Sequence, residues 1–246
     1  MKDNFSRQAN AYAKYRPTYP QEVYDFILSK VEQRNVAWDC GTGNGQTAKE
    51  LAKYFKKVFA TDISEKQIQN ANKEENIFYS VQSAEQTNFE NNTFDTVTVS
   101  QALHWFDVNK FYAEVKRVAK SNAWVAVWMY SLANISPEID KLINIKHYKE
   151  TLGSYWDYER KFVDDNYTTL PFSFNEIQCP IFKMKFEWTL EELEGYLNTW
   201  SALQKFIAQH DYNPVDKLIE EIKPFWNQHK MQVVFPVYMR MGKIEK

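Results

Sequence analysis

Glycine is scarce in this chain, and its distribution is uneven. The 246 residues contain only 6 glycines. Three of them stand at alternate positions in the stretch VAWDCGTGNGQT, residues 36–47. Glycine bends sharply and lets other groups approach the backbone closely. A chain with so little glycine has a specific use for these three, and we expect that use to be ligand binding.

Three further scarcities exclude whole classes of protein. The two cysteines, Cys40 and Cys179, stand far apart with no CxxC pair and no histidine at metal-ligand spacing, which predicts neither a disulfide framework nor a metal site. The formal net charge is only −2, so no general attraction favours nucleic acid or an anionic membrane as a partner. No apolar run reaches the roughly 18 residues that a membrane span needs. We therefore expect a soluble cytoplasmic protein.

Aromatic residues are abundant instead, at 16% of the chain. Eleven of them fall between Tyr148 and Trp188, which is more than core packing leads us to expect. This excess predicts an aromatic binding pocket.

The apolar pattern predicts an α/β fold. Strand-like stretches alternate with segments of helical spacing, as is typical of a doubly wound parallel sheet: NVAWDC, KVFATD, IFYSVQ, FDTVTVS and AWVAVWMY. Two later stretches, IQCPIFKMKFEW and MQVVFPVYMRMG, are also predicted as strands. Helices predicted at 137–150, 189–208 and 213–229 surround the first of them.

We expect a single domain, residues 1–246, because no linker rich in proline, glycine or serine divides the chain. Its parts are predicted to be an N-terminal arm (1–19), a ligand-binding core (20–136), a cap with one core strand (137–229) and a final strand (230–246).

The glycine loop follows the first predicted strand, where open parallel sheets bind ligands. A dinucleotide-binding loop needs a third glycine at position 46, and this chain has Gln46 there. Asp62 ends the second predicted strand about 20 residues after Gly41, where a carboxylate accepts hydrogen bonds from both ribose hydroxyls of an adenosine. A single aspartate at a strand end is more often a turn or cap residue. In register with Gly41, Gly43 and Gly45, it favours a nucleoside ligand.

The chain resembles the class I S-adenosylmethionine-dependent methyltransferases on these residues. VAWDCGTGNGQT resembles their first motif, with Asp39 as its acidic member, and ATDIS resembles the second. QSAEQTNFENNTFDTVTVSQALHWFD resembles the region where Ala84 and Glu85 flank the adenine. Four further stretches are similar to a narrower group, trans-aconitate methyltransferase and its type 11 relatives: YAKYRPTYP, HWFD, AVWMY and TLEELEGYLNTWS.

The resemblance implies a fold, a cofactor and a set of binding residues. The fold is a Rossmann-like, mostly parallel seven-stranded sheet with its last strand antiparallel and a helical cap inserted around strands 6 and 7. The methyl donor is S-adenosylmethionine, and its product is S-adenosylhomocysteine. The implied donor-binding residues are Asp39, Gly41, Thr42, Gly43, Gly45, Asp62, Ile63, Ala84, Glu85, Gln101, Tyr15 and Arg16.

One stretch departs from the family pattern. Members usually carry a Pro-Gly-Gly turn before strand five, and here the sequence is AKSNAWV. We predict that Asn122 takes the left-handed conformation that a glycine would otherwise supply.

His104 is the candidate catalytic residue. It follows the fourth predicted strand, where we expect it to orient an acceptor hydroxyl or take its proton, with a structural hydrogen bond as the alternative. The acceptor pocket is predicted to contain Trp105, Trp128 and Tyr130, of which the last two are equally compatible with a core position. Arg160 or Arg240 is expected either to hold an acid group of the acceptor or to form a surface ion pair.

The N-terminal arm carries Tyr12, Tyr15, Arg16 and Tyr19 in the spacing Y-x-x-Y-R-P-x-Y. We hypothesise that the tyrosines close over the donor while Arg16 reaches its carboxylate. A loosely packed terminal segment is the alternative.

The expected function is methyl transfer to a small molecule, either a small organic acid or a hydrophobic metabolite. We expect a monomer or homodimer with no nucleic-acid or membrane partner and no metal. A module that binds the donor only to regulate an interaction is the alternative. A nicotinamide oxidoreductase is disfavoured by Gln46 and by the lack of a Tyr-x-x-x-Lys pair after strand five.

Overall fold

Eight strands form one sheet in residues 17–246, the part of the chain that the computed structural model describes. The strands are β1 (Val36–Cys40), β2 (Lys57–Asp62), β3 (Ile77–Val81), β4 (Phe94–Ser100), β5 (Ala119–Tyr130), β6 (Asn175–Ile177), β7 (Phe182–Trp188) and β8 (Met231–Lys243). Their order is β3-β2-β1-β4-β5-β8, and both β6 and β7 pair with the far edge of β8.

Helices connect these strands. They are α1 (Gln21–Lys30), α2 (Gln46–Ala52), α3 (Glu65–Gln69), α4 (Val108–Val118), α5 (Pro137–Asp140), α6 (Arg160–Asp164), α7 (Leu190–Leu197), α8 (Ser201–His210) and α9 (Pro214–Ile222). A π-helix (Lys141–Thr151) continues α5, and single 3₁₀ turns cover Leu103–Trp105, Gly153–Tyr155 and Lys223–Phe225. None of the helices in the described part is long and apolar enough to cross a bilayer.

The parallel part of the sheet confirms the predicted doubly wound α/β fold. Strands β1 to β5 pair in parallel, and β1 lies between β2 and β4. Helices cover both faces, so two apolar clusters lie on opposite sides of β1, with Ala37 in one and Trp38 in the other. The strand order reverses at β1, and the crevice beyond the carboxyl ends of β1 and β4 is therefore the expected place for a ligand.

The antiparallel part confirms the predicted last strand and changes the strand count. β8 runs antiparallel to β5 and to both β6 and β7. The predicted sixth strand, IQCPIFKMKFEW (177–188), is strand only from Phe182 as β7, and a further short strand, β6, ends at Ile177 where the prediction begins, which gives eight strands instead of seven. Pro180 stands in the gap and has no backbone N–H to donate to a ladder, so the division falls where the sequence cannot continue the pairing.

The cap helices differ from the predicted ones, and the helix expected at 213–229 ends at Ile222 with a 3₁₀ turn to Phe225. The helix expected at 137–150 is one α-helical turn followed by the π-helix, and the helix expected at 189–208 ends at Leu197 and restarts at Ser201. Trp200 separates the two pieces with extended backbone, φ −72° and ψ 130°. Its side chain is buried among the cap aromatics.

Asn122 adopts the predicted left-handed conformation, with φ 66°. It lies near the start of β5, and its N–H donates to the carbonyl of Ile244 across the sheet at 2.9 Å. Asparagine here takes the conformation that a glycine would take more easily.

Candidate functional site

A cavity lies between the carboxyl ends of the parallel strands and the cap. One side, the loop wall, comprises Gly41, Thr42, Gly43, Asn44, Gln46, Asp62, Ile63, Ser64 and Gln67. The opposite side, the cap wall, comprises Trp156, Asp157, Arg160, Tyr196, Trp200 and Ser201. Between the two walls lie Pro17, Tyr19, Ser100, Gln101, Ala102, His104, Trp105, Tyr130 and Ser131.

The three loop glycines all have positive φ, but their surroundings differ. Gly41, at φ 67°, faces the core, because an added Cβ would lie 2.7 Å from the Cβ of Ala102. At Gly45, φ 82°, an added Cβ would overlap the hydroxyl of Tyr79. Gly43, at φ 56°, has no atom within 4 Å of that position. Gly41 and Gly45 therefore let the loop pack on the protein, whereas Gly43 keeps backbone accessible from the cavity.

Asp62 ends β2 in the loop wall. Its carboxylate accepts hydrogen bonds from the backbone N–H of Gly43 and from that of Ser64, both at 2.9 Å. Asp62 therefore holds the glycine loop in place, and a carboxylate is chemically suited to accept hydrogen bonds from ribose hydroxyls.

Asp39 lies behind the loop and not in the cavity wall. It is fully buried, and its carboxylate accepts hydrogen bonds from the hydroxyls of Thr42, at 2.5 Å, and Thr98, at 2.9 Å. Burial raises the pKa of Asp39 from 3.8 to about 7, although hydrogen bonds from Thr42, Thr98 and the Ala48 backbone oppose the shift. This acidic residue joins the loop to β1 and β4.

Gln101 connects the ends of β4 and β5 beside the cavity. Its backbone is left-handed, with φ 54°, its N–H donates to the carbonyl of Trp128, and its side-chain oxygen accepts from the N–H of Tyr130. The chain turns sharply at Gln101, and its two hydrogen bonds attach this turn to the end of β5. There Tyr130 lines the cavity and Trp128 lies in the core.

His104 lies in the 3₁₀ turn after β4 and lines the cavity. Its Nδ1 is 2.8 Å from the hydroxyl of Tyr167. Burial lowers the pKa of His104 from 6.5 to about 3, and the positive charge of Arg160 lowers it further. The imidazole is therefore neutral at physiological pH.

Arg160 is the cation of the cap wall. Its Nε donates to the hydroxyl of Tyr148 at 2.7 Å and to Asp164 at 3.3 Å, and its guanidinium lies 5.0 Å from the ring centroid of Trp156. Its two terminal nitrogens have no hydrogen-bond partner in residues 17–246. They form a planar fork suited to a carboxylate.

The predicted site residues fall into three groups. Those in the cavity wall are Gly41, Thr42, Gly43, Asp62, Ile63, Gln101, His104, Trp105 and Tyr130, together with Tyr19 of the arm. Those outside it are Asp39, Gly45, Ala84, Glu85, Trp128 and Arg240. The hypotheses on Tyr12, Tyr15 and Arg16 fall outside the described residues.

The residues outside the wall have structural contacts. Glu85 accepts a hydrogen bond from the N–H of Asp107 at 3.0 Å. Trp128 is fully buried and contacts Tyr19 edge to face, with ring centroids 5.7 Å apart. Arg240 pairs with Glu176 at 2.8 Å, in agreement with the ion-pair alternative.

Sequence reasoning did not single out the rest of the cap wall. Trp156 lies within the aromatic-rich stretch that predicted a pocket, so a signal for it existed. Tyr196 and Trp200 come from α7 and the turn after it, beyond that stretch. No spacing in the sequence indicates that these three rings meet around Arg160.

Comparisons with known proteins identify the family. The model of the type 11 methyltransferase domain matches residues 38–127. A protein of Dictyostelium discoideum, provisionally named a methyltransferase, is 35% identical over 99% of this chain and 95% of its own length. The chain belongs to the class I S-adenosylmethionine-dependent methyltransferases. This methyltransferase is therefore an enzyme whose methyl donor is S-adenosylmethionine, and the nicotinamide alternative is wrong.

Two further comparisons agree with this assignment. A protein of Anaeromyxobacter dehalogenans with a solved structure, provisionally described as a type II methyltransferase, is 33% identical to this methyltransferase, with a TM-score of 0.87 over 94% of this chain and 99% of that one. A protein of Saccharomyces cerevisiae, provisionally named an S-adenosylmethionine-dependent methyltransferase, is 23% identical over 86% of each chain.

The loop wall of the methyltransferase fits this donor. The open space at Gly43 leaves room for a ligand against the loop backbone, and Asp62 beside it is suited to the ribose hydroxyls. Residues that would hold the donor are Gly41, Thr42, Gly43, Asp62, Ile63 and Gln101, which all line the cavity. No group of three metal-ligating side chains occurs in the described part of the methyltransferase.

Proposed function

We propose that the protein methylates a small molecule held between the loop wall and the cap wall. The observation that carries this proposal is the composition of the cap wall, in which Trp156, Tyr196 and Trp200 form a continuous set of ring contacts and the guanidinium of Arg160 lies against Trp156. Aromatic faces suit an apolar body, and the fork suits a carboxylate. An acceptor with both features is a small organic acid, preferably one with a hydrophobic portion.

The charge distribution of the cavity supports a small acceptor over a macromolecule. Arg160 is the cation among the described residues that line the cavity, and Asp157 of the cap wall is paired with Lys205 at 2.7 Å. Nucleic-acid sites use rows of lysine and arginine on an open surface to contact phosphates. A single recessed cation is better suited to a single acid group.

The protein's part in the reaction is alignment and exclusion of water. S-Adenosylmethionine supplies an electrophilic methyl group: the acceptor's lone pair forms the new bond to the methyl carbon while the carbon–sulfur bond breaks and its electron pair leaves the sulfur neutral. The loop wall would fix the donor, and the cap wall would fix the acceptor opposite it. Holding two reactants in line is the main catalytic contribution in such a direct displacement.

Isotope transfer tests the proposal. The purified protein is incubated with S-adenosylmethionine carrying a deuterated methyl group and, separately, with small organic acids, phenols, amines, duplex DNA, RNA and unfolded protein, and products are read by mass spectrometry. We expect labelled methyl esters from hydrophobic acids and none from the corresponding amides. Label on nucleic acid or protein alone would overturn the proposal.

The cytoplasmic location, the monomeric or dimeric state and the likeness to trans-aconitate methyltransferase stay predictions. Size-exclusion chromatography with light scattering tests the second. The acceptor panel, with trans-aconitate included, tests the third.

A further inference from the structure

Tyr167 reaches the catalytic region from a loop that follows α6, far from the donor motifs in sequence. Its side chain is buried, with 1% exposed, and its hydroxyl lies 2.8 Å from Nδ1 of His104. The rings of the two residues are also close, with centroids 5.9 Å apart. The family motifs give no role to this tyrosine.

The backbone around Tyr167 is unusual. Asn166 and Tyr167 are consecutive non-glycine residues in the left-handed region, with φ 53° and 61°. Such a pair is unfavourable for L-residues and persists only where its surroundings hold it. The conformation turns Tyr167 inward under His104.

Arg240 is one of the groups that hold this loop. Its Nη1 donates to the carbonyl of Tyr167 at 3.0 Å and to that of Leu170 at 2.7 Å, while Nε and Nη2 bind Glu176, each at 2.8 Å. Its guanidinium also lies over the ring of Phe172, 4.7 Å from the centroid. The strained loop is therefore fixed by β8, the last strand of the sheet.

The hydrogen bond between Tyr167 and His104 decides where the imidazole proton lies. Within the described residues, Nδ1 of His104 is the one hydrogen-bond acceptor within reach of the buried Tyr167 hydroxyl. If Nδ1 carried the proton, the tyrosine O–H would be buried without an acceptor, which is costly. The tyrosine therefore donates to Nδ1, and the imidazole proton is on Nε2.

We propose that Tyr167 is a positioning residue that fixes His104 as the Nε2–H tautomer, so that His104 donates a hydrogen bond to an anionic acceptor oxygen instead of removing a proton. This proposal rests on the proposed function and narrows it. His104 and Arg160 both line one cavity, and two hydrogen-bond donors there favour an acceptor that enters as a carboxylate, already ionised. Methyl transfer to it then requires no proton to move to His104.

Nitrogen NMR of the histidine rings tests the tautomer without any acceptor. The full-length protein is labelled with ¹⁵N-histidine, long-range ¹H–¹⁵N spectra are recorded at pH 7, and a His104→Asn variant identifies the His104 signals. We expect Nε2 in the range of protonated ring nitrogens and Nδ1 in that of unprotonated ones. A protonated Nδ1 in the wild type would overturn the proposal, and this measurement needs no variant of Tyr167.

Two variants test the role of the hydroxyl. In Tyr167→Phe, Nδ1 loses its donor, and we expect both nitrogen shifts to move toward the average of the two tautomers. Tyr112→Phe is the matched control, because the Tyr112 hydroxyl is buried without a hydrogen-bond partner in the described residues. The control should leave the His104 shifts unchanged. Unchanged shifts in a folded Tyr167→Phe protein would contradict the proposal.

The two proposals fail separately. If no organic acid is methylated but Nε2 carries the proton, the acceptor class is wrong and the positioning role stands. If acids are methylated but Nδ1 carries the proton, the positioning role is wrong. With both correct, the kcat for a carboxylate acceptor is expected to stay flat from pH 6 to 9, because neither the ionised acceptor nor His104, whose pKa is lowered to about 3, changes protonation in that range.

Discussion

The two walls of the cavity are built from different parts of the chain and by different means. The loop wall comes from the connections after β1 and β2 and the helix starts that follow them, and its main elements are backbone: Gly41, Gly43 and the N–H groups anchored on Asp62. The cap wall comes from α6, α7 and the segments next to them, and it consists of large side chains around Arg160. The first wall thus depends on local conformation, and the second depends on the packing of distant helices.

Because the two walls are built differently, we expect them to control different properties of the enzyme. A loop fixed by local φ values and one carboxylate would offer the same donor contacts wherever the motif occurs, because those contacts depend on backbone and on Asp62 and not on the packing of distant helices. A wall of side chains from several helices is altered by any substitution among them. We therefore expect variants of the loop wall to change donor affinity, and variants of the cap wall to change acceptor selection.

The largest effect is expected within the loop itself, from the pair Gly41→Ala and Gly43→Ala. The first places a Cβ 2.7 Å from that of Ala102 at positive φ, and should lower the free energy of unfolding by about 2–5 kcal/mol. The second meets no protein atom, so we expect a loss of only about 1–2 kcal/mol.

Donor affinity should follow a different order from stability in these two variants. In the folded Gly43→Ala protein the new methyl group enters the cavity, and calorimetry should show donor affinity reduced at least about tenfold, or 1.4 kcal/mol. Equal stabilities of the two variants in chemical denaturation would contradict the expected difference in packing. Unchanged donor binding by Gly43→Ala would mean that the Gly43 backbone does not face the donor.

The second prediction concerns the buried support of the loop wall, Asp39. Because its folded-state pKa of about 7 lies above the unfolded value, the folded protein prefers the protonated acid. Its contribution to stability is fully present below about pH 4 and is lost as the pH rises through about 7. Between pH 5 and 8 the wild type should lose about 3 kcal/mol more unfolding free energy than Asp39→Asn, which cannot ionise.

Urea denaturation at matched pH values measures this difference. Taking the difference between wild type and variant cancels the other titrating groups, including His104 and His147, whose lowered pKa values act in the opposite direction. Parallel stability curves for the two proteins would mean that Asp39 does not titrate in this range.

The third prediction tests whether donor affinity depends on the loop wall, through Asp62. Asp62→Asn removes the charge that the ribose hydroxyls would meet, and should weaken donor binding by about 1–3 kcal/mol. The measurement is calorimetric titration with S-adenosylmethionine and S-adenosylhomocysteine, with NAD as the ligand that should not bind. Asp164→Asn, a change outside the cavity wall, should leave donor binding as in the wild type.

Arg160→Gln is the reciprocal prediction on the cap wall. It removes the cationic fork but keeps a polar side chain, and we expect the acceptor KM to rise about tenfold to a hundredfold, from a charged hydrogen bond of roughly 1.5–3 kcal/mol. Donor dissociation constants should stay within about twofold of the wild type. A large loss of donor affinity would mean that Arg160 binds the carboxylate of the donor, so that the cap wall contributes to the donor site as well as to the acceptor site.

The smallest effect is expected far from both walls, at Asn122. Glycine adopts its φ of 66° without strain, so Asn122→Gly should stabilise the protein by less than about 1 kcal/mol, a rise of a few degrees in Tm. Donor and acceptor constants should not change. A fall in Tm would show that the asparagine side chain contributes more than its backbone conformation.

Prediction from the sequence agreed with the structure for elements that are set by residues close together in the chain. The alternation of strands and helices, the glycine loop and the position of Asp62 follow from short-range patterns, because a parallel sheet brings its strand ends to one edge. It was less accurate at β6 and β7, where Pro180 interrupts the pairing, and in the cap, where Trp200 separates two helices. At Pro180 the break has a local cause that the prediction overlooked, whereas at Trp200 the burial of the side chain among the cap aromatics accompanies the break.

The sequence by itself determined the fold class and the glycine loop, since each depends on residues close together in the chain, and its resemblance to a known family indicated the donor. The tertiary structure alone placed Asp39 behind the loop, brought Arg160 among rings from separate helices, and set Tyr167 under His104, 63 residues earlier in the chain. Contacts of that kind depend on how whole helices pack, and no periodicity or motif in a single sequence encodes the distance between two such side chains.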